Sequence, residues 1–430
     1  MNDIPHSELL EATRLTRAGR LTEATALLQR ALRGGAVLGT GSAPPGEAEY
    51  APAGRGSRIV ALRPDTIQLT DCQPPPRTVH APGTRASGRP AGLMLSKGEP
   101  PLPEALRGFL DRIGAQPRMD GLARPLPTHT PDVVPHGGQF LGASYSNRAG
   151  SRDYKLYVPS GYRGQAVPLI VMLHGCAQSP DDFAAGTRMN VVAEEHTCLV
   201  AYPAQAVSAN ASKCWNWFSP CDQQHGQGEP SLIAGITRQI MRDYSVDPDR
   251  VYVAGLSAGA AAAAIMGMAY PDLYAAIGVH SGLACGAASD LPSAFAAMSQ
   301  GAAVAVRGSG QYRQLVPTIV FHGDQDGTVH PRNGDQVIAQ SRASASSTGL
   351  QTRVQHGRVP GGHPYSRTLH ADARGQTIFE QWVIHGAGHA WSGGSPAGSY
   401  TDPRGPDAAR EMLRFFLEHP AQAARSVSSN

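Results

Sequence analysis

The chain has 430 residues, a formal net charge of +3 and a hydrophobic fraction of 41%. That length accommodates one large domain with extensions, or two to three domains of average size. The near balance of charge and the lack of a dense Lys or Arg run argue against a nucleic-acid-binding protein. No apolar run reaches the roughly 18 to 20 residues needed to span a bilayer, so no membrane span is predicted.

The beginning of the chain contains early acidic residues and no continuous apolar segment typical of an export signal, so we expect a cytoplasmic protein. The six cysteines weigh mildly against this location. Cys214 and Cys221 are close enough in sequence to form a disulfide, which is uncommon in the cytosol, and whether they do so is left open. No Cys-x-x-Cys pair is present, so we expect no zinc ribbon.

Residues 1–34 predict a helical hairpin, because Leu and Ala recur at helical spacing on either side of a break at 19–22. The hairpin resembles a single repeat of the tetratricopeptide kind. One such repeat cannot bury its apolar face alone, so we expect it to dock on its own chain, on a second copy or on another surface.

Residues 35–135 are rich in Gly, Pro, Ala, Arg and Ser, which predicts a flexible linker with one short helix near 103–113. Residues 421–430 are expected to be a disordered tail.

Between residues 136 and 420, predicted strands alternate with predicted helices. This alternation predicts an α/β fold with a mostly parallel central sheet and helices on both faces. The predicted strands are 153–159, 167–173, 198–202, 250–256, 317–322 and 378–385. The predicted helices are 183–195, 233–244, 258–269 and 408–418.

Residues 255–259, Gly-Leu-Ser-Ala-Gly, match the pattern G-x-S-x-G between a predicted strand and a predicted helix. This is the context of a nucleophile elbow, in which glycines allow a tight turn and the serine projects above the sheet. We therefore interpret Ser257 as a nucleophile, the alternative being an ordinary turn. No cysteine lies in such an elbow, so a thiol nucleophile is not favoured.

A serine nucleophile needs a base and an acid that orients the base, and in this fold the acid precedes the histidine in the chain. Asp324 and Asp326 both follow the strand 317–322, and we favour Asp326 as the acid. His389, in a loop flanked by glycine after the last strand, is the predicted base, with His385 as the main alternative.

The loop that follows the strand 167–173 has the sequence His-Gly-Cys-Ala-Gln. A His-Gly loop at this place donates a backbone N–H to the oxyanion of an acyl-transfer intermediate. We expect the backbone amides of Cys176 and Ala258 to form the oxyanion hole.

Together these motifs resemble the catalytic domain of the poly(3-hydroxybutyrate) depolymerase family of esterases, whose relatives include feruloyl and acetylxylan esterases. The shared segments are 173–176 (LHGC), 214–218 (CWNWF), 255–259 (GLSAG), 270–272 (YPD) and 388–391 (GHAW). The resemblance covers about residues 138–420. It implies a triad of Ser257, Asp326 and His389 and an oxyanion hole that includes Cys176. We expect an α/β-hydrolase fold, and an acyl transfer by such a triad needs no metal or organic cofactor.

The predicted substrate is poly(3-hydroxybutyrate) or its oligomers. Trp215, Trp217 and Trp391 are expected to line a groove for an extended, mostly apolar ester, although Trp215 and Trp217 have core packing as an alternative. The first alternative function is a feruloyl or acetylxylan esterase, and the second is a non-catalytic granule-binding protein. The N-terminal hairpin and linker resemble the arrangement of intracellular members that act on polymer granules, so granules are an expected location, with an extracellular location as the alternative. The oligomeric state is left open.

Overall fold

The computed structural model describes residues 133–302, 315–344 and 349–421. The predicted hairpin (1–34), the linker (35–135) with its short helix and the tail (421–430) lie outside these ranges, apart from residues 133–135 and 421. Those predictions therefore stay untested. Within the described ranges, no helix combines the length and the apolar character required to cross a bilayer.

The strands are β1 (Gln139–Asn147), β2 (Gly150–Val158), β3 (Val167–Leu173), β4 (Leu199–Pro203), β5 (Val246–Leu256), β6 (Ala276–His280), β7 (Thr318–Gly323), β8 (Gln351–Arg358), β9 (Pro364–Ala371), β10 (Thr377–Ile384), β11 (Trp391–Ser392) and β12 (Thr401–Asp402). The helices are α1 (Pro180–Thr187), α2 (Met189–His196), α3 (Gly228–Asp243), α4 (Ala258–Ala269), α5 (Leu291–Gln300), α6 (Arg332–Ser344) and α7 (Ala408–Leu417), with a 3-10 helix at Pro220–Gln223.

A ten-stranded sheet with the order β1-β2-β4-β3-β5-β6-β7-β10-β9-β8 forms the framework. Its central strands, from β4 to β10 in that order, are parallel to one another. The outer strands on both sides pair antiparallel. Every residue of β3, β4, β6 and β7 is buried, as expected for parallel strands covered on both faces.

Apolar side chains form one cluster on each face of the sheet. One cluster includes buried residues of α3, α4, α5 and α6, and the other includes buried residues of α1, α2 and α7. This arrangement confirms the predicted α/β-hydrolase fold. One predicted helix, 183–195, is instead two helices, because Arg188 between α1 and α2 has a left-handed backbone with φ 57°.

The carboxyl ends of β5, β6, β7 and β10 are neighbours along one edge of the sheet. Ser257 follows β5, the Asp324–Asp326 loop follows β7 and the loop containing His389 follows β10. Ligand sites of open α/β sheets lie at this edge. The fold therefore brings the three predicted triad segments to the same edge.

Candidate active site

Ser257 forms a sharp turn between β5 and α4. Its backbone has φ 57° and ψ −120°, a conformation that costs a non-glycine residue about 1 to 3 kcal/mol. A Cβ on Gly259 would lie 2.1 Å from the carbonyl oxygen of Leu173, and one on Gly255 would lie 2.4 Å from the carbonyl carbon of Gly259. Both glycines are therefore required by close backbone contacts, which explains the G-x-S-x-G pattern physically.

Asp326 and His389 form a short hydrogen bond, with 2.7 Å between Asp326 Oδ2 and His389 Nδ1. The Asp326 side chain is fully buried and that of His389 keeps 12% of its surface exposed. The other carboxylate oxygen, Oδ1, accepts from the backbone N–H groups of Thr328 (2.9 Å) and Val329 (2.8 Å). This geometry favours an imidazole whose Nδ1 carries the proton and whose Nε2 is left as a base.

The carboxylate of Asp326 stays ionised. Burial opposes its charge, but the His389 imidazole and a hydrogen bond from His322 outweigh burial and hold the pKa of Asp326 below its ordinary value. His322 Nε2 lies 3.4 Å from Asp326 Oδ2. An ionised acid is what stabilises an imidazolium during proton transfer.

A second serine–histidine–aspartate set lies beside the first. Asp324 Oδ2 is 2.9 Å from His385 Nδ1, and His385 Nε2 is 2.8 Å from Ser366 Oγ. Ser366 belongs to β9, on the far side of β10 from Ser257. The two carboxylates and the two histidines that sequence reasoning had to choose between are thus paired separately, Asp324 with His385 and Asp326 with His389.

The pair of Asp326 and His389 lies on the side of Ser257. The backbone N–H of Ser257 donates to the carbonyl of His280 at 2.9 Å. His280 Nε2 accepts from the backbone N–H of Ser392 at 2.9 Å, three residues after His389. His280 therefore joins the elbow to the histidine loop. The Ser257 hydroxyl makes no hydrogen bond within the described ranges, and catalytic serine–histidine bonds often tighten only when substrate binds.

The His-Gly loop lies directly against the elbow, because a Cβ on Gly175 would be 3.6 Å from Ser257 Cβ. The side chain of Gln178 shapes this loop by accepting from the backbone N–H of Gly175 at 2.9 Å. Among the described residues, the backbone N–H groups of Cys176 and Ala258 have no acceptor. These are the two amides that sequence reasoning assigned to the oxyanion hole, and that assignment stays a prediction.

Cys176 is bonded to Cys214, with 4.2 Å between the two Cα atoms. A bridge between Cys214 and Cys221 is therefore ruled out, because Cys214 has only one sulfur. Cys198 and Cys285 are free thiols, and burial raises the pKa of each to about 12. Neither is a thiolate near neutral pH, which agrees with the choice of serine over cysteine as nucleophile.

The expectation that three tryptophans line an ester groove is wrong. Trp215 is completely buried, Trp391 is 1% exposed and Trp217 is 5% exposed. The Trp215 indole N–H donates to the carbonyl of His174 at 3.1 Å, and the Trp391 ring stacks on His280 with 4.9 Å between centroids. The three tryptophan side chains pack the site loops against the core and do not line an open groove.

Residues 152–348 match the family model described as Esterase PHB depolymerase. The matched segment includes Cys176, Ser257 and Asp326, and His389 lies beyond its end.

The chain is similar to two curated proteins, one named as a depolymerase and the other as an esterase. The poly(3-hydroxyalkanoate) depolymerase C of Paucimonas lemoignei is 32% identical over 256 residues, which cover 57% of this chain and 60% of that protein. The feruloyl esterase B of Neurospora crassa is 34% identical over 152 residues, which cover 34% of this chain and 50% of that protein. The chain thus spans only 50% to 60% of the length of these relatives.

The solved structure of an acetyl xylan esterase from Aspergillus awamori is similar to this chain with a TM-score of 0.51 at 20% sequence identity. The match covers 65% of this chain and 99% of that one. At this level of identity the likeness is one of fold.

Proposed function

We propose that the chain is a serine esterase in which Ser257 is the nucleophile, His389 the base and Asp326 the acid that orients it. The observation that carries this proposal is the 2.7 Å bond between Asp326 and His389, at the sheet edge where Ser257 occupies its strained elbow. The names of the relatives, which are ester hydrolases, support the reaction class.

The mechanism follows from the positions of these groups. His389 Nε2 removes the hydroxyl proton of Ser257 as Ser257 Oγ attacks the ester carbonyl, and the carbonyl becomes a tetrahedral oxyanion. The imidazolium then gives its proton to the departing alcohol, which leaves an acyl group on Ser257. Water, deprotonated by the same imidazole, attacks the acyl carbonyl, and the imidazolium then returns the proton to Ser257 Oγ as the acid leaves. Asp326 stabilises the imidazolium in both halves of the cycle.

The negative charge that develops on the carbonyl oxygen requires donors that are already in place. The amides of Cys176 and Ala258 are available, and the amide of Ala258 also lies at the first turn of α4, where the helix dipole favours negative charge. Each such donor contributes about 10² to 10³ in rate.

The substrate we propose first is a poly(3-hydroxybutyrate) ester or oligomer, because the relative named as a poly(3-hydroxyalkanoate) depolymerase covers the larger share of this chain. A feruloyl-type ester is the second candidate, because the relative named feruloyl esterase B has the higher identity. The buried tryptophans give no reason to prefer an aliphatic over an aromatic acyl group.

The disulfide between Cys176 and Cys214 bears on location. Disulfides persist in oxidising compartments and are rare in the reducing cytosol. It therefore supports an extracytoplasmic location over the cytoplasmic, granule-bound one expected from the beginning of the chain.

The proposal is tested with wild type and Ser257→Ala on amorphous poly(3-hydroxybutyrate) granules, p-nitrophenyl butyrate and methyl ferulate. Loss of granule clearance in the variant would support the nucleophile and the polymer substrate together. Turnover of the small esters without granule clearance would retain the esterase and reject the polymer. Equal rates for wild type and variant on every ester would reject the proposed triad.

A further inference from the structure

A buried carboxylate that the proposed reaction does not use lies beneath the site loops. Glu229, at the start of α3, is 5% exposed. Its Oε2 accepts from the backbone N–H of Asn216 at 2.7 Å, and its Oε1 accepts from Asn216 Nδ2 at 2.9 Å and from Arg152 Nη2 at 3.2 Å. Oε1 also accepts from Gln205 Nε2. The two oxygens therefore serve four donors from three separate chain segments.

Gln205 connects this carboxylate to the His-Gly loop. Its side-chain Nε2 also donates to the carbonyl of Cys214 at 2.8 Å, and its backbone N–H donates to His174 Nε2 at 3.1 Å. Cys214 is in turn bonded to Cys176, whose backbone amide is a proposed oxyanion donor. One continuous chain of contacts thus leads from Glu229 to the oxyanion hole.

His174 is a fixed part of this connection. Because its Nε2 accepts from Gln205, its Nδ1 carries the proton and donates to the carbonyl of Gly175 at 2.8 Å. Burial lowers the pKa of His174 to about 4, so the ring is neutral over the range in which an esterase is assayed. Any pH dependence of the connection therefore arises at Glu229 rather than at His174.

We propose that Glu229 is a positioning residue, which in its ionised form holds the segment of Cys214 and Asn216 and, through Gln205, the loop that carries the Cys176 amide. The inference rests on the proposed esterase function. As an acceptor on both oxygens, the carboxylate satisfies all four donors. A proton on either oxygen would add a donor among these N–H groups and remove the negative charge that they bind, so the bonds would weaken and the loop would shift.

The charges around Glu229 make this proton relevant near neutral pH. Burial and the Asp222 carboxylate raise the pKa of Glu229 to about 7, while Gln205, Asn216 and Arg152 act in the opposite direction. Arg152, from β2, and Asp222, from the 3-10 helix, are the charged groups that face it from neighbouring elements. A raised carboxyl pKa means that the folded protein takes up this proton more readily than the unfolded chain. Protonation of Glu229 therefore does not lower the free energy of unfolding, whereas we expect it to lower kcat for ester hydrolysis.

The test is kcat against pH for wild type and Glu229→Gln with p-nitrophenyl butyrate. Glutamine imitates the protonated side chain at every pH. Above neutral pH we expect the variant to be about 10- to 100-fold slower with little change in KM, since a small misplacement of a catalytic group can cost about 10²-fold. As the pH falls and wild type becomes protonated at Glu229, the two rates should converge. A rate ratio that does not depend on pH would overturn the proposal.

Glu380→Gln is the matched control. Glu380 on β10 is also a fully buried carboxylate, bound to Arg367 (2.8 Å) and Arg414 (2.7 Å), but it has no connection to the His-Gly loop. Its substitution should change thermal stability and leave the pH dependence of kcat as in wild type. The same convergence in Glu380→Gln would show that any lost buried charge produces it, and would overturn the assignment to Glu229.

Gln205→Met keeps the Glu229 carboxylate and removes the side-chain bonds from Gln205 to Glu229 and to the carbonyl of Cys214. This variant tests the proposal if Glu229→Gln does not fold. We expect kcat to fall at neutral pH, and an unchanged kcat would overturn the proposal. Ser257→Ala is measured in parallel. If it is inactive while Glu229→Gln has wild-type rates, the positioning role alone fails, whereas a wild type that hydrolyses no ester rejects the proposed function.

Discussion

Replacement of Asp326 by asparagine tests the proposed triad at its acid. The amide oxygen of an asparagine can keep the two bonds from the N–H groups of Thr328 and Val329, which lie at 2.9 and 2.8 Å. Its NH₂ group then faces His389 Nδ1 at the position of the present 2.7 Å bond. Two donors cannot share that contact, so His389 must take the tautomer with its proton on Nε2. That tautomer cannot accept the proton of Ser257.

The expected loss for Asp326→Asn is about 10⁴-fold in kcat, because an asparagine at this place of a triad selects the wrong tautomer. This corresponds to about 5.4 kcal/mol of transition-state stabilisation. The assay is steady-state hydrolysis of p-nitrophenyl butyrate, with KM expected to change little. Since the pKa of Asp326 is held below its ordinary value, its contribution to stability is present above that ordinary value and is lost as the pH falls through the lower, folded-state pKa. The free energy of unfolding of Asp326→Asn should therefore fall less at acid pH than that of the wild type.

Asp324→Asn is the matched control for this experiment. Asp324 makes a similar 2.9 Å bond, but to His385, whose Nε2 faces Ser366. We expect the control to remain within about tenfold of wild type, because Asp324 makes no hydrogen bond to the His389 ring and an asparagine oxygen can still accept from the backbone N–H of Gly386, now at 2.8 Å. A thousandfold loss in Asp324→Asn with a nearly active Asp326→Asn would refute the assignment of the acid and with it the assignment of His389.

Three further predictions concern the loops and the core. Reduction of the Cys176–Cys214 bridge, or its replacement by two serines, should lower kcat and reduce stability by about 4 kcal/mol for a separation of 38 residues, as measured by denaturant unfolding. Gly259→Ala should abolish activity because of its backbone clash, whereas Gly142→Ala, where a Cβ meets nothing within 4 Å, should be silent in the same assay. Trp391→Ala should lower stability by about 3 to 5 kcal/mol, because it removes a core side chain. The melting temperature of Trp391→Ala is measured by calorimetry, and its KM by steady-state hydrolysis. A changed KM with an unchanged melting temperature would contradict the core-packing role.

The central strands and the elbow could be predicted because local sequence determines them. The segment 167–173 is apolar throughout and is buried throughout as β3. The glycines on either side of Ser257 mark a turn whose close backbone contacts leave no room for a Cβ at positions 255 and 259. The strand before this turn and the alanine-rich helix after it are both present. The order of serine, acid and histidine along the chain follows from the order of the parallel strands.

Of the outer strands, β2 was predicted, whereas β1, β8 and β9 were not, because their side chains give little apolar signal. Six of the nine residues of β1 are exposed, as are six of the eight residues of β8, so neither strand has the continuous apolar run of a buried strand. β6 is a buried strand of five residues that is interrupted by Gly278, and no strand was predicted there.

Contacts between distant segments account for the remaining differences. The bridge of Cys176 and Cys214 spans 38 residues, so proximity in sequence pointed instead to Cys221. The role of Glu229 depends on donors from β2 and from two loops, and no local pattern marks it. The tryptophans were assigned to a groove by residue type, but burial is decided by tertiary packing.

The identity of the nucleophile is tested most directly by labelling the protein with a fluorophosphonate and locating the adduct by peptide mass mapping. The account predicts a single adduct on Ser257, absent from Ser257→Ala. An adduct on Ser366, which is hydrogen-bonded to the pair of His385 and Asp324, or the lack of any adduct on a folded protein, would contradict it.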